Sequence, residues 1–237
     1  MVTCEHGGNR IPAAYRQLFR GQQTLLDSHR GHDPGALVMA TALAESLGAP
    51  LVASTTSRLL IDLNRSIGHR DLFSSATRDA PAETRAQIVA DHYLPYRTRA
   101  ESLIATAIAN GNRMIHISSH SFAGELGGRV RSADVGLLYD PGRRGETALC
   151  AQWKQSLAVS APQWRVRRNY PYAGKADGLT SHLRRRFGPR HYIGVELEIN
   201  QDITLAGERR WKGLRSNLID SLQVACSALV HADIGDS

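Results

Sequence analysis

At 237 residues the chain can bury a sizeable core, and its length suits one α/β domain better than two. An apolar content of 42% with ordinary glycine and proline usage excludes a disordered or fibrous protein, and no run approaches the roughly 18 apolar residues of a membrane span. The formal charge of +7 comes almost wholly from arginines spread along the sequence, since Lys154, Lys175 and Lys212 are the only lysines; such a spread does not mark a nucleic-acid face.

The chain opens on VTCEHGGNRIP (residues 2–12). VTCE reads as a short strand that runs into a Gly-Gly turn carrying Glu5, His6 and Asn9. The strand is so short that the chain is expected to start a few residues later than its relatives do. No basic region followed by an apolar stretch precedes it, so no secretory leader is read here. Cys4, Cys150 and Cys226 are odd in number, far apart and without CxxC spacing, which fits a reducing compartment and a cytoplasmic protein.

DPGALVMATALAESLG (33–48) is expected to be a helix with Pro34 near its first turn. PLVAS (50–54) and RLLIDL (58–63) are apolar runs suited to buried strands. Residues 81–110 have a helical period, with Pro95 as a kink or break. MIHISSHSF (114–122) and VGLLYD (135–140) read as strands, followed by a helix near 143–158, the segment WRVRRN and a helix near 178–187. The strand YIGVELEIN (192–200) and a closing helix near 207–231 complete the chain. HLRRRF (182–187) is most simply a solvated helix face. No internal repeat, low-complexity tract or linker interrupts the pattern, so residues 1–237 are expected to form a single domain. Strands separated by helices imply a mainly parallel, mixed central sheet covered on both faces. Ligands in such folds bind beyond the carboxyl ends of the strands.

Four of the expected strands end in polar chemistry: Glu5-His6, Asp62-Leu63-Asn64-Arg65, His120-Ser121-Phe122 and Glu198-Ile199-Asn200. The fold would gather them on one sheet edge. His116 and His120 would share a face of a helix, but the β-branched residues around them favour a strand, where four residues span roughly 13 Å. Two histidines so placed cannot share a metal; His120, at the carboxyl end, is the candidate ligand, and His116 is expected to be buried and hydrogen-bonded. In VELEIN, Val195, Leu197 and Ile199 face one way and Glu196, Glu198 and Asn200 the other. Two carboxylates about 7 Å apart on a covered face need partners. Salt bridges to arginines would supply them; alternatively one carboxylate acts as a base, and the strand end selects Glu198.

Taken together, EHGGNRIP, SRLLIDLNR, HSF, VGLLYDPGR, NYPYAGKADGLT and GVELEINQD resemble the motifs of the N-formylglutamate amidohydrolase family, in the family's order. The resemblance runs from residue 2 to about 225 and is similar to the branch described as N-formylglutamate amidohydrolase-like. It implies a zinc-carboxypeptidase-like fold, shared with aspartoacylase-type deacylases that also carry a DLNR turn. It also implies zinc or another divalent metal, with His6 and His120 as ligands and Glu198 as general base. Asn64 and Arg65 match the pair that holds the substrate's carboxylate or polarises its carbonyl. Asn9 stands where the carboxypeptidase His-x-x-Glu pattern has its acid, so the acidic ligand must come from elsewhere. Asp33, at a helix start on the same edge, is the choice, with Glu5 as its rival.

Two imidazoles and a carboxylate would leave an open metal position for catalysis. Arg65 offers a bidentate match to a carboxylate, and Arg129 and Arg131 could bind a second one. The segment from Asn169 to Thr180 would shape the pocket wall, with Gly174 and Gly178 permitting close backbone approach. The expected activity is hydrolysis of the amide of an N-acylated acidic amino acid, N-formyl-L-glutamate by default. The expected partner is a small anionic substrate, not nucleic acid or membrane; monomer and homodimer both remain open. A small metallocarboxypeptidase or other deacylase is the nearest alternative. A metal-free family member and a basic nucleic-acid-binding module using RVRRNYPY and HLRRRF are further ones.

Overall fold

The protein is described from a computed structural model that covers the backbone of residues 1–235 and side chains as far as residue 229. The strands are β1 (Val2–Cys4), β2 (Leu51–Ala53), β3 (Met114–Phe122), β4 (Glu125–Leu126), β5 (Arg129–Val130), β6 (Val135–Leu138), β7 (Val166–Arg168) and β8 (Tyr192–Asn200). Six of them form one sheet in the order β2-β1-β3-β8-β6-β7, while β4 and β5 make a separate two-stranded hairpin. Neighbours in the main sheet run parallel except β6 against β8, so the sheet is mostly parallel and mixed. The antiparallel β6 brings its start, Val135, beside Ile199 and Gly136 opposite Glu198.

The helices are α1 (Gln23–Leu26), α2 (Ala36–Ser46), α3 (Ala82–Ile88), α4 (Leu94–Ala109), α5 (Arg144–Ser160), α6 (Leu179–Arg186), α7 (Gln201–Thr204) and α8 (Glu208–Gly235). They divide between the two faces of the sheet. On one face Met39 and Leu43 of α2, Trp153 of α5 and Leu214 and Leu218 of α8 pack on Val195, Leu197 and Ile199 of β8. On the other, Tyr96 and Ile104 of α4 and Leu183 of α6 pack with Leu60, Ile61 and Tyr192. Each fully buried side chain of this size stabilises the fold by about 1.5–3 kcal/mol. Trp153 is wholly buried and keeps its indole N–H bonded, 3.1 Å from Ser221 Oγ and 3.2 Å from the Leu218 carbonyl. Within the described residues, no helix is long and apolar enough to cross a membrane.

Three elements differ from the sequence expectation. RLLIDL is not a strand: Arg58–Leu60 form a turn and Ile61–Asp62 are irregular. Its apolar residues are buried between the loops and α4 without ladder pairing, and the Asp62 amide is satisfied by the Leu72 carbonyl at 2.9 Å. The helix expected from residue 33 begins at Ala36. Asp33 instead bonds through its amide to the His6 carbonyl, and Gly35 caps the helix at φ +83°, where a Cβ would strike Thr204. Pro95 does not stop the helical run, which instead widens into a π-helical turn (Val89–Tyr93) between α3 and α4 just before it, with Pro95 in the first turn of α4.

Candidate metal centre and active-site cleft

β1 ends at Cys4, and the chain turns at once through Glu5 and His6. His120 lies two residues before the end of β3, the neighbour of β1, in register with Glu198 of β8. Parallel pairing therefore brings the first and second thirds of the sequence to one edge of the sheet. There His6, Asp33 and His120, all buried, offer ligand atoms that lie within 4.8 Å of one another.

Asp33 Oδ2 is 3.3 Å from His6 Nδ1 and 2.9 Å from His120 Nδ1. Ligands about 2.0–2.1 Å from a tetrahedral zinc are separated by about 3.4 Å, close to the two Asp33–imidazole distances. The far nitrogen of each ring is held by another carboxylate. His6 Nε2 is 2.8 Å from Asp62 Oδ1, and His120 Nε2 is 3.0 Å from Glu5 Oε2. A ring that donates its Nε2–H outward turns the Nδ1 lone pair inward, which is how metal-bound histidines are held. Arg58 ties the acids together from the cleft side, 3.3 Å from Asp33 Oδ1 and 2.8 Å from Asp62 Oδ2.

The electrostatics follow from burial against these contacts. Burial opposes ionisation of Asp62, but Arg58 and His6 hold its carboxyl well below the usual range. Burial likewise opposes ionisation of Asp33, which His6, His120 and Arg58 outweigh. Glu5, also disfavoured by burial, is held low chiefly by His120 and by hydroxyl donors. The His120 imidazolium is opposed by burial but favoured, well above its ordinary pKa, by the bonds to Asp33 and Glu5. Were an ion to take the place of the ring proton, so that both imidazoles are neutral, three carboxylates against one guanidinium would leave two negative charges for it to balance in a buried site. That is the charge a divalent cation carries, so the donor set fits such an ion in number, type and charge.

Glu198 behaves differently. It is 6% exposed, its Oε2 has no hydrogen-bond partner, and burial, only partly offset by His120, pushes its pKa up to about 8. Alternation along β8 is as expected, with Val195, Leu197 and Ile199 in the opposite core. Glu196 is partnered by the Thr180 hydroxyl at 2.5 Å, and among the described residues neither glutamate has an arginine at ion-pair distance. An orphaned buried carboxyl facing the cluster is a group poised to exchange a proton.

A cleft of about 510 Å³ reaches the cluster at Asp33 and is walled also by Arg58, Asp62, Phe73, Arg131 and Tyr172, among others, with His6, His120 and Glu198 lying behind its wall. Arg131 is clamped for presentation. Its guanidinium stacks 5.8 Å from the Phe122 ring and 5.0 Å from the Tyr172 ring, and it donates to the Tyr172 hydroxyl at 3.1 Å. Arg129, in the exposed hairpin strand β5, is not part of the cleft wall, although Leu126 of the same hairpin is.

Other residues singled out from sequence serve to hold the site together. Asn64 accepts from the Leu179 amide at 2.6 Å, and its Nδ2 is 3.4 Å from His120 Nε2. Arg65 donates to the Asp177 carbonyl at 2.6 Å and does not line the cleft. Gly174 is pressed against β6 and its following residue: a Cβ there would lie 2.1 Å from the Tyr139 nitrogen. Gly178 passes Asn64 closely, with 3.0 Å between a would-be Cβ and Asn64 Oδ1. Asn9 turns away from the cluster to bond Asp27 at 2.8 Å. His116 sits inside the sheet, 2.8 Å from Thr3 Oγ1 and 2.7 Å from the Tyr192 hydroxyl, and burial drives its pKa down to about 3.

Arg58 went unnoticed in the sequence. It lies four residues before Asp62, a same-side spacing in a strand as in a helix turn, but only the tertiary path shows that both face the cluster. Glu5, the rival to Asp33 as acidic ligand, lies past the end of β1, where strand alternation no longer sets its direction, and it contacts the outer nitrogen of His120.

Comparison with known proteins places these features in context. The sequence model of the N-formylglutamate amidohydrolase family matches residues 1–205. An N-formylglutamate deformylase of Pseudomonas aeruginosa is 26% identical, with 98% of this chain and 91% of that protein covered. The crystal structure of a gene product of Agrobacterium tumefaciens superposes with a TM-score of 0.83 at 28% identity, over 97% of this chain and 90% of that one. An N-formylglutamate amidohydrolase of Ralstonia eutropha shares the fold, with a TM-score of 0.67 at 20% identity over 94% and 92% of the two chains.

Proposed function

Since the chain belongs to the N-formylglutamate amidohydrolase family, a family of hydrolases, we propose that it is a metal-dependent amidohydrolase of N-acylated acidic amino acids, with N-formyl-L-glutamate as substrate. One observation supports this above the others. Two buried imidazoles turn Nδ1 toward a shared Asp33 oxygen while their outer nitrogens are held by carboxylates. His6, Asp33 and His120 would hold the ion. A divalent cation bound there supplies Lewis-acid polarisation of the scissile carbonyl.

The chain's own residues do the rest. Arg131, fixed between Phe122 and Tyr172, takes the substrate's carboxylate in a bidentate grip. Arg58, at the junction of cluster and cleft, places positive charge beside the carbonyl oxygen as negative charge develops on it. Glu198 removes the proton from the attacking water and returns it to the departing amine, releasing formate and glutamate. Asn64 and Arg65 anchor the start of α6 and the segment before it, so they shape the cleft from behind.

The test combines metal analysis of the purified protein with formate release from N-formyl-L-glutamate. Chelation should abolish turnover and zinc should restore it; chelator-insensitive turnover would sink the metal mechanism. Turnover of peptides, but not of formylglutamate, would reassign the activity to a carboxypeptidase on the same scaffold.

A further inference from the structure

The hydrolytic scheme gives no task to Glu5, yet it is among the most expensively placed groups in the molecule. It is wholly buried in the turn after β1. Its Oε1 accepts from the Tyr96 hydroxyl of α4 at 2.9 Å, and its Oε2 accepts from the Ser118 hydroxyl of β3 at 2.7 Å. Among the described residues its ion-pair partner is His120, at 3.0 Å, and no lysine or arginine stands at that distance. A carboxylate taken from water without a fixed cation is costly, and neutral hydroxyls recover only part of the cost.

The hydrogen bonding has a direction. Hydroxyl donors engage both carboxylate oxygens, so Glu5 acts as an acceptor and the proton between it and His120 sits on Nε2. Nδ1 then faces the position shared with His6 and Asp33, where a cation replacing the proton it shares with Asp33 would meet its lone pair. Glu5 also supplies one of the two negative charges that Arg58 leaves uncompensated. A neutral residue in its place would leave a single charge and no carboxylate on the Nε2 side of the His120 ring, where Ser118 Oγ lies 2.9 Å away.

We propose that Glu5 is a positioning residue for the metal: through His120 it fixes the tautomer that ligates, and it completes the charge that matches a divalent ion. The inference rests on the metal assignment made above. The rival explanation is purely architectural, with Glu5 only cross-linking β1, β3 and α4 through Tyr96 and Ser118.

Zinc affinity of the metal-depleted protein, measured by competition with a chromophoric chelator, separates the two. Glu5→Gln keeps the shape and removes the charge; it should bind zinc about 10–100-fold more weakly and give an altered cobalt(II) absorption spectrum. A Glu5→Gln protein with wild-type circular dichroism that binds zinc within twofold of wild type overturns the proposal. Should that variant fail to fold, Tyr96→Phe combined with Ser118→Ala removes both hydroxyl donors and keeps the carboxylate. Weakening of zinc binding by threefold or more, with circular dichroism and melting temperature at wild-type values, then supports the proposal; an unchanged affinity, or a weakening that only tracks a loss of stability, overturns it. The metal assignment fails in a recognisably different way. Wild-type protein would then bind no zinc, or a His6→Ala, His120→Ala double variant would bind it equally well, and either result removes the proposal as well.

Discussion

At the scale of single residues, Glu198 and Arg131 carry the sharpest expectations. Glu198→Gln should retain stoichiometric metal and lose at least about a hundredfold in kcat, the usual scale for a general base. The same variant exposes the stability linkage. In metal-free protein the Glu198 carboxyl titrates near 8 rather than its usual 4.5, so between those values the folded state binds more protons than the unfolded one. Its contribution is full below about 4.5 and is lost as pH rises towards 8. Melting midpoints of wild type and Glu198→Gln should therefore diverge across that window, the wild type falling relative to the variant, and run parallel outside it. Arg131→Ala should raise KM for N-acyl glutamate far more than for an N-acyl amino acid with a neutral side chain and a blocked carboxyl. An equal loss on both substrates would mean that the Phe122–Arg131–Tyr172 stack is only structural.

At the scale of elements, the site depends on the close approach of β6 to β8. Gly136 pairs with Glu198, and a Cβ on it would lie 2.0 Å from the Tyr170 carbonyl oxygen and 3.2 Å from Glu198 Cβ. Backbone cannot yield as a long side chain can. Gly136→Ala should therefore cost about 1–3 kcal/mol in stability and reduce kcat by displacing Glu198, both readable from a denaturation curve and a rate assay on one preparation. RLLIDLNR makes the complementary point. Its apolar run carries the marks of a buried strand, yet Leu60 and Ile61 reach the core from a turn, which frees Arg58, Asp62 and Asn64 to converge on the cluster. Burial of an apolar run is legible from sequence; whether a ladder accompanies it depends on neighbours far away in the chain.

At the scale of the whole molecule, the proposed metal would add a further tie between the turn after β1, the approach to α2 and the end of β3, which β1–β3 pairing and the Asp33 amide bond to the His6 carbonyl already hold together. Zinc at about one hundred times its Kd should stabilise the folded state by about 2.7 kcal/mol, roughly 5–10 °C in melting temperature for a chain of this size. Differential scanning of metal-loaded and chelator-treated protein measures this directly, and coincident curves would argue against a site preorganised by folding.

Most of the sheet strands and the longer helices, the alternation in β8 and the division between the two histidines of β3 could be read from the sequence, because periodicity and residue type act locally; the turn at RLLIDL and the β4–β5 hairpin could not. So could the idea that His6, Asp33, His120 and Glu198 belong to one edge, since parallel sheets expose their carboxyl ends together. The family match to residues 1–205 accords with the ordered motifs that suggested it. Contacts were the part hidden from the sequence. That Arg58 binds two acids, that Arg65 holds Asp177 rather than facing the cleft, and that Glu5 reaches His120 rather than His6 are consequences of chain path. A side chain's partner is fixed by where loops end in space, within a few tenths of an ångström, and local sequence rules carry no such information.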